Sequence, residues 1–261
     1  MKKQLRYYIT IMLCIALLGL LGSSPYEDYL AYSKKHGSSP THYLLDKARA
    51  NNLLLIGTHH KDSTIHNIII EALPELVRQA KINTLFVEIQ SSEQEIIELF
   101  MYGAIPVKTI ELWNVIESRS YCAILDKARD LDLNIVAIDK PMPVKCSRDQ
   151  WMASRITNHF SSHPDTKGIV IVGERHVLKN VSWNCDSSPS LADYLADYNA
   201  FSVVMWPDAI NMSCPKALDI IPAVFAGIKD STIKALNVKQ HTSLATSADG
   251  IILLPNLNNN M

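Results

Sequence analysis

The sequence predicts an α/β fold: a mainly parallel central sheet flanked by helices, with a site at the carboxyl edge of the strands. Three observations predict it. Short apolar runs recur, Leu53–Ile56 and Ile169–Val172 foremost, without the polar alternation of a one-sided sheet, so both faces must be covered. Stretches with apolar residues at helical spacing separate these runs. Each of the two leading runs ends in a glycine, two residues and a histidine, Gly57-Thr58-His59-His60 and Gly173-Glu174-Arg175-His176. Glycine permits close backbone approach, and in an open parallel sheet the strand ends share the edge where ligands bind.

The elements follow in order. Residues Ser23 to Ser39 are polar and tyrosine-bearing, with Lys34 to Pro40 as a linker. Thr41–Ala50 reads as a short helix leading into strand one, Leu53–Ile56. After a polar loop from Thr58 to Ser63, Ile65–Gln79 carries a helical stripe of Ile68, Ile69, Ala72, Leu73, Leu76 and Val77, with Pro74 as a potential kink. Thr84–Val87 is strand two, ending in Glu88. Ser91 and Ser92 are candidate caps for a helix reaching Tyr102, which Gly103 ends. Ile105–Trp113 has no clear assignment. Tyr121–Leu131 is helical, and Asn134–Ile138 is strand three, ending in Asp139. Ser147 caps a helix from Arg148 to Phe160. His163-Pro164-Asp165 is a turn, Ile169–Val172 is strand four, and Leu178–Pro189 is an irregular loop. A short helix at Leu191–Leu195 precedes strand five, Phe201–Trp206. Pro207–Ala248 is the least readable stretch, and Ile251–Leu254 is a last strand.

The 261 residues are enough for one large domain, and 48% hydrophobic against 20% charged residues suits a packed core. The chain divides into a leader at 1–24, a linker and helix at 25–50, the α/β domain at 51–255 and a frayed tail at 256–261. A formal net charge of -1 and the lack of a basic run argue against a nucleic-acid partner. Lys2, Lys3 and Arg6, the apolar stretch Tyr7–Leu21 and the break at Gly22-Ser23-Ser24-Pro25 have the layout of a secretory signal. Cleavage after Gly22 or Ser23 would export the protein; retention would anchor it in a membrane through residues 7–21. Cys14 is not placed as a lipoprotein cysteine. Of the remaining Cys122, Cys146, Cys185 and Cys214, the preferred disulfide is Cys185 with Cys214, against the equal alternative of four buried thiols.

Four strand ends carry polar groups: His59/His60, Glu88, Asp139 and Glu174/His176. Two chemistries suit such a set. A neutral imidazole can activate water as general base while a carboxylate assists. Alternatively His60, Glu88 and His176 can bind a divalent metal with a position open for water. Arg148 adds a cation that could clamp a substrate anion or meet an oxyanion; the alternative is a structural pair with Asp149 or a neighbouring acid. His66, His159 and His163 read as surface residues. The sequence contains no G-x-S-x-G, no phosphate-binding P-loop and no G-x-G-x-x-G.

The order of these motifs resembles the erythromycin esterase/ChaN/Tiki-like superfamily. The resemblance rests on Gly57-Thr58-His59-His60, Glu88, Asp139-Lys140-Pro141, Arg148-Asp149 with Met152-Ala153, and Gly173-Glu174-Arg175-His176, and it spans Leu53 to Leu254. It implies an α/β fold with the site at the carboxyl edge, and shared residues His60, Glu88, Arg148 and His176. It implies three activities: lactone hydrolysis in the esterase branch, metal-dependent proteolysis in the Tiki branch, and haem binding in the ChaN branch. The sequence departs from the ChaN and esterase pattern at Thr58, where those members carry Glu, and a lipobox cysteine is lacking. The resulting expectation is an extracytoplasmic hydrolase acting on a small molecule or peptide through a His/Glu/His site, with or without a divalent metal. A haem- or iron-binding uptake protein is the alternative.

Overall fold

A computed structural model describes residues 25–141, 147–181, 188–209, 212–221 and 244–255. Helix α1 spans Pro25–His36 and α2 spans Pro40–Ala50. Strand β1 (Leu53–Thr58), α3 (Ser63–Ala80) and β2 (Thr84–Gln90) follow. Next come α4 (Gln94–Met101), α5 (Arg119–Asp130), β3 (Asn134–Asp139) and α6 (Arg148–Ser162). β4 (Gly168–Gly173) runs directly into the single turn α7 (Glu174–Val177), and α8 (Leu191–Tyr194) leads to β5 (Ala200–Ala209). β6 (Lys216–Asp219), α9 (Leu244–Ser247) and β7 (Gly250–Pro255) complete the described residues.

The seven strands form one sheet in the order β3-β2-β4-β1-β5-β7-β6, parallel throughout except for the antiparallel β6–β7 edge. The all-apolar runs occupy its middle: β1 pairs in parallel with both β4 and β5, and every residue of β1 and β4 is buried. Alternate side chains feed two separate cores. Leu54, Ile56, Leu85, Val87, Ile169 and Ile171 pack under α2 to α5, whereas Leu53, Leu55, Phe86, Val170 and Val172 meet α6, α7 and α8. Burying both faces is what lets these strands dispense with polar alternation.

Local chemistry sets the helix starts. Side chains of Ser39, Asp62, Ser118 and Ser147 accept from backbone amides in the first turns of α2, α3, α5 and α6. Helix α3 continues through Pro74 to Ala80, where Lys81 takes the left-handed conformation. Ser91 and Ser92 do not cap a helix by side chain; with Glu93 they form a 3-10 turn ahead of α4.

The amino-terminal stretch departs from the linker expected at Lys34–Pro40. Helix α1 extends through His36, Tyr29 and Ser33 are buried, and Ser38 forms an antiparallel bridge with Ala217 of β6. The contact is with a strand far along the chain, so no local pattern announces it. The leader expected at 1–24 and the tail at 256–261 lie outside the described residues, as do Cys146 and Cys185 of the proposed cysteine framework. Among the described residues no helix is long and apolar enough to cross a membrane.

Candidate active site

The strand order explains why remote residues meet. β3, β2, β4 and β1 are adjacent in space, and their carboxyl ends deliver Asp139, Glu88, the α7 turn with His176, and the loop with His59 and His60. Glu88 lies where the β2–β3 register shifts, between Val87 and Gln90. Such an irregularity frees a strand-end side chain from the regular pleat and re-aims it.

Glu88 is 1% exposed and holds the centre. Its Oε1 accepts from Arg148 Nη2 at 2.6 Å, and its Oε2 accepts from the Gly173 amide at 2.5 Å. Arg148, in the first turn of α6, also grips Asp139: Nε donates to Oδ1 and Nη2 to Oδ2, each at 2.6 Å. Asp139 is itself fully buried and accepts from Trp113 Nε1 at 2.6 Å and from the Lys140 amide at 2.7 Å. Burial works against the Arg148 charge, but Asp139 and Glu88 outweigh it and raise its pKa further. The guanidinium is therefore a fixed cation between two buried carboxylates, with 38% of its side chain still exposed.

His176 is 1% exposed on α7. Its Nδ1 lies 2.5 Å from Asp149 Oδ1, and its Nε2 faces Glu88 Oε1 at 3.7 Å, too far for a direct hydrogen bond. His60 is half-buried and lies near enough on the β1 side to feel the Glu88 charge. Gly173 makes the meeting possible: a Cβ there would fall 2.7 Å from His60 Cε1, 2.9 Å from His60 Nε2 and 3.6 Å from Glu88 Oε2. Gly57 has a similar role on the neighbouring strand, where a Cβ would lie 2.5 Å from Val177 Cγ2 and 2.9 Å from Glu174 Cα. Both glycines of the repeated motif thus allow α7 and the His60 loop to close on the sheet.

Burial lowers the pKa of His60 from the ordinary histidine value. Glu88 opposes this, while His176, Arg148 and His59 reinforce it. His60 is accordingly a neutral imidazole near pH 7, with a carboxylate at hand to stabilise the cation once it takes a proton. His59 Nε2 lies 3.2 Å from Glu174 Oε2.

All four residues singled out from the sequence, His60, Glu88, Arg148 and His176, therefore converge, with Asp139 beneath them. Three expectations change. Arg148 pairs with Asp139 and Glu88 rather than with Asp149, because neighbouring helical residues point in different directions. Asp149 instead partners His176. His66 is not a solvated helix residue: it is fully buried, with Nδ1 2.7 Å from Ser120 Oγ. His159, expected at the surface, is half-buried against the edge of Phe86 and stacks on the exposed His163. Sequence reasoning missed Trp113, which sits in the stretch without a clear assignment.

A divalent metal on His60, Glu88 and His176 does not fit this donor set. Both Glu88 oxygens are already engaged, and Arg148 places a cation 2.6 Å from the carboxylate. Among the described residues no group of three or more His, Cys, Asp or Glu side chains could hold a metal ion.

No protein-family model matches the chain, and no curated protein matches it in sequence. Solved structures do match. A succinoglycan biosynthesis protein superposes with a TM-score of 0.67 at 9% identity, over 90% of this chain and 98% of its own. A Bacillus cereus protein gives 0.63 at 10% identity, over 88% of this chain and 97% of its own. The erythromycin esterase EreC, in an open conformation, gives 0.58 at 11% identity, over 82% of this chain and 93% of its own. At such identities the likeness is one of architecture: the chain shares the α/β fold of these structures, the erythromycin esterase EreC among them.

Proposed function

We propose that the protein is an extracytoplasmic hydrolase in which His60 activates water without a metal. The observation that carries this reading is the state of His60: a neutral, half-exposed imidazole poised beside a buried, anchored carboxylate and a fixed guanidinium. His60 takes a proton from water as the oxygen attacks the substrate carbonyl. Glu88 stabilises the resulting imidazolium. Arg148 meets the charge that develops on the carbonyl oxygen through Nη1, which is engaged by no described group. Collapse of the tetrahedral intermediate breaks the bond to the leaving group, which takes the proton back from His60. His176, fixed by Asp149, presents Nε2 toward Glu88 and completes the inner wall.

Substrates of this chemistry are esters, lactones or peptides, and the export signal read at residues 1–24 supports a reaction outside the cytoplasm. The fold shared with EreC supports hydrolysis as the class of reaction. The test is turnover of a panel of activated esters, lactones and peptides by the purified protein. His60→Ala should lower turnover by about a hundredfold or more and leave the circular dichroism spectrum unchanged; turnover at the wild-type rate in that variant would overturn the assignment.

Binding of haem or iron is the second reading, and one observation favours a particular ligand for it. His176 is buried with its nitrogens facing carboxylates, so His60 is the imidazole of the pair with access to an incoming group. A Soret band on addition of haem, absent in His60→Ala, would support it.

A further inference from the structure

Residues 102–118 join α4 to α5 with a single 3-10 turn, Val107–Thr109, between them. Connections this long are usually either binding segments or loose linkers. Buried anchors set this one apart from a linker: Ile110 and Ile116 are inside, and Leu112 and Trp113 pack against the same core. The segment reaches the carboxyl edge of the sheet through Trp113, to which the chemistry above gives no part.

Trp113 Nε1 donates to Asp139 Oδ2 at 2.6 Å, and Arg148 Nη2 donates to the same oxygen at 2.6 Å. Two short bonds to one oxygen make the indole and the guanidinium immediate neighbours at the end of β3. An indole has one donor and no other hydrogen-bonding group. With that donor spent on Asp139, the rest of this half-buried ring offers a neighbour only apolar surface. In the strand order β3-β2-β4-β1, Trp113 stands at the β3 end of the pocket and His60 at the β1 end, with Glu88 and Arg148 between them.

Charge narrows what that surface can receive. One guanidinium is held by two carboxylates, so the floor of the site carries more negative than positive charge. An anion meets net repulsion there, whereas a neutral carbonyl oxygen can still accept from the guanidinium.

We propose that Trp113 forms an apolar subsite beside Arg148 for an uncharged alkyl or aromatic group attached to the reacting carbonyl of the substrate. The inference deepens the hydrolase reading and rests on its assignment of Arg148 to the carbonyl oxygen. The preferred substrates become neutral esters, lactones or amides with an apolar group next to the scissile bond, and acidic ones are disfavoured.

The test reads binding, so it stands apart from turnover. Propanone, 2-pentanone and 2-heptanone present a carbonyl and an alkyl chain but no leaving group. Their affinities for the full chain are measured by ligand-observed NMR and should rise about threefold for each added methylene. Trp113→Phe keeps an apolar ring and should keep this chain-length dependence. Trp113→Gln keeps a donor for Asp139 but removes the ring, and the dependence should disappear. Equal affinity for the three ketones in the parent, no binding of any of them, or a Trp113→Gln protein with the parent's dependence would each overturn the subsite. Should Trp113→Gln not fold, the parent decides: its Trp113 indole resonance, identified by its loss in Trp113→Phe, must move further with 2-heptanone than with propanone, and an unmoved indole refutes the proposal. Chain-length selectivity that vanishes with the ring supports the subsite even where no ester is turned over. Turnover of esters by a protein that binds all three ketones alike refutes the subsite and leaves hydrolysis standing.

Discussion

Replacing Arg148 by methionine isolates the electrostatic centre of the molecule. The substitution keeps a long apolar stem and removes the cation between Glu88 and Asp139, which are 1% and 0% exposed. Two buried carboxylates then lose their common counter-ion. Removing one partner of a buried ion pair costs about 3–5 kcal/mol, and the lower end applies because 38% of the Arg148 side chain meets solvent. At about 2–4 °C per kcal/mol for a domain of this size, Tm should fall by about 6–12 °C. Differential scanning calorimetry at pH 7 measures it. A second variant makes the test sharper: Arg148→Met combined with Glu88→Gln and Asp139→Asn removes the stranded charges and should recover most of the loss. An Arg148→Met protein within about 1 °C of the parent would refute the reasoning, as would a triple variant no more stable than the single one.

Three further predictions rest on the same geometry. Gly173→Ala should cost little stability, since the new methyl meets the far end of the His60 ring, yet it should displace that ring. A crystal structure would show the rotation, and turnover would fall by about tenfold or more. Asp149→Asn should disturb the tautomer of His176 and reduce kcat more than KM, read by 15N resonances of the imidazole alongside steady-state kinetics. Because burial lowers the pKa of His60 and His66 below that of unfolded histidine, the unfolded chain binds more protons in acid. Their contribution to stability is present above about pH 6.5 and is lost as pH falls through the lowered folded values. The same sign places the acid limb of turnover below about pH 6.5, and an acid limb above about pH 7 would contradict a neutral His60.

The regions of this structure that are legible in the sequence are those where one physical rule dominates. β1 and β4 can be read because continuous apolar runs have few other uses. Glu88, Asp139 and the two histidines can be read because a polar group at the end of such a run has to face the sheet edge. Ser147 announces the start of α6 in the same way, whereas Ser91 and Ser92 do not cap α4 as expected. What escapes depends on contacts between distant segments. His66 reads as a surface residue from its own helix alone; only α5, laid over it with Ser120 and Tyr121, buries it. The stretch from Lys34 to Pro40 has the composition of a linker, and its role appears only through the Ser38–Ala217 bridge. Helix geometry argues against the Arg148–Asp149 pair, since adjacent residues on a helix diverge, but the true partner of Asp149, His176, comes from a distant turn.

Gly173 gathers several duties into a single peptide unit. Its amide restrains the central carboxylate, its bare α-carbon leaves room for one imidazole, and the turn it opens carries the other. These three distances cannot be tuned one at a time. A displacement of the His60 ring presses on Gly173 by packing, and Gly173 opens the turn that carries His176. The pocket should therefore respond to occupancy as a single mechanical body, and variation at this position should be confined to changes that abandon the whole arrangement at once.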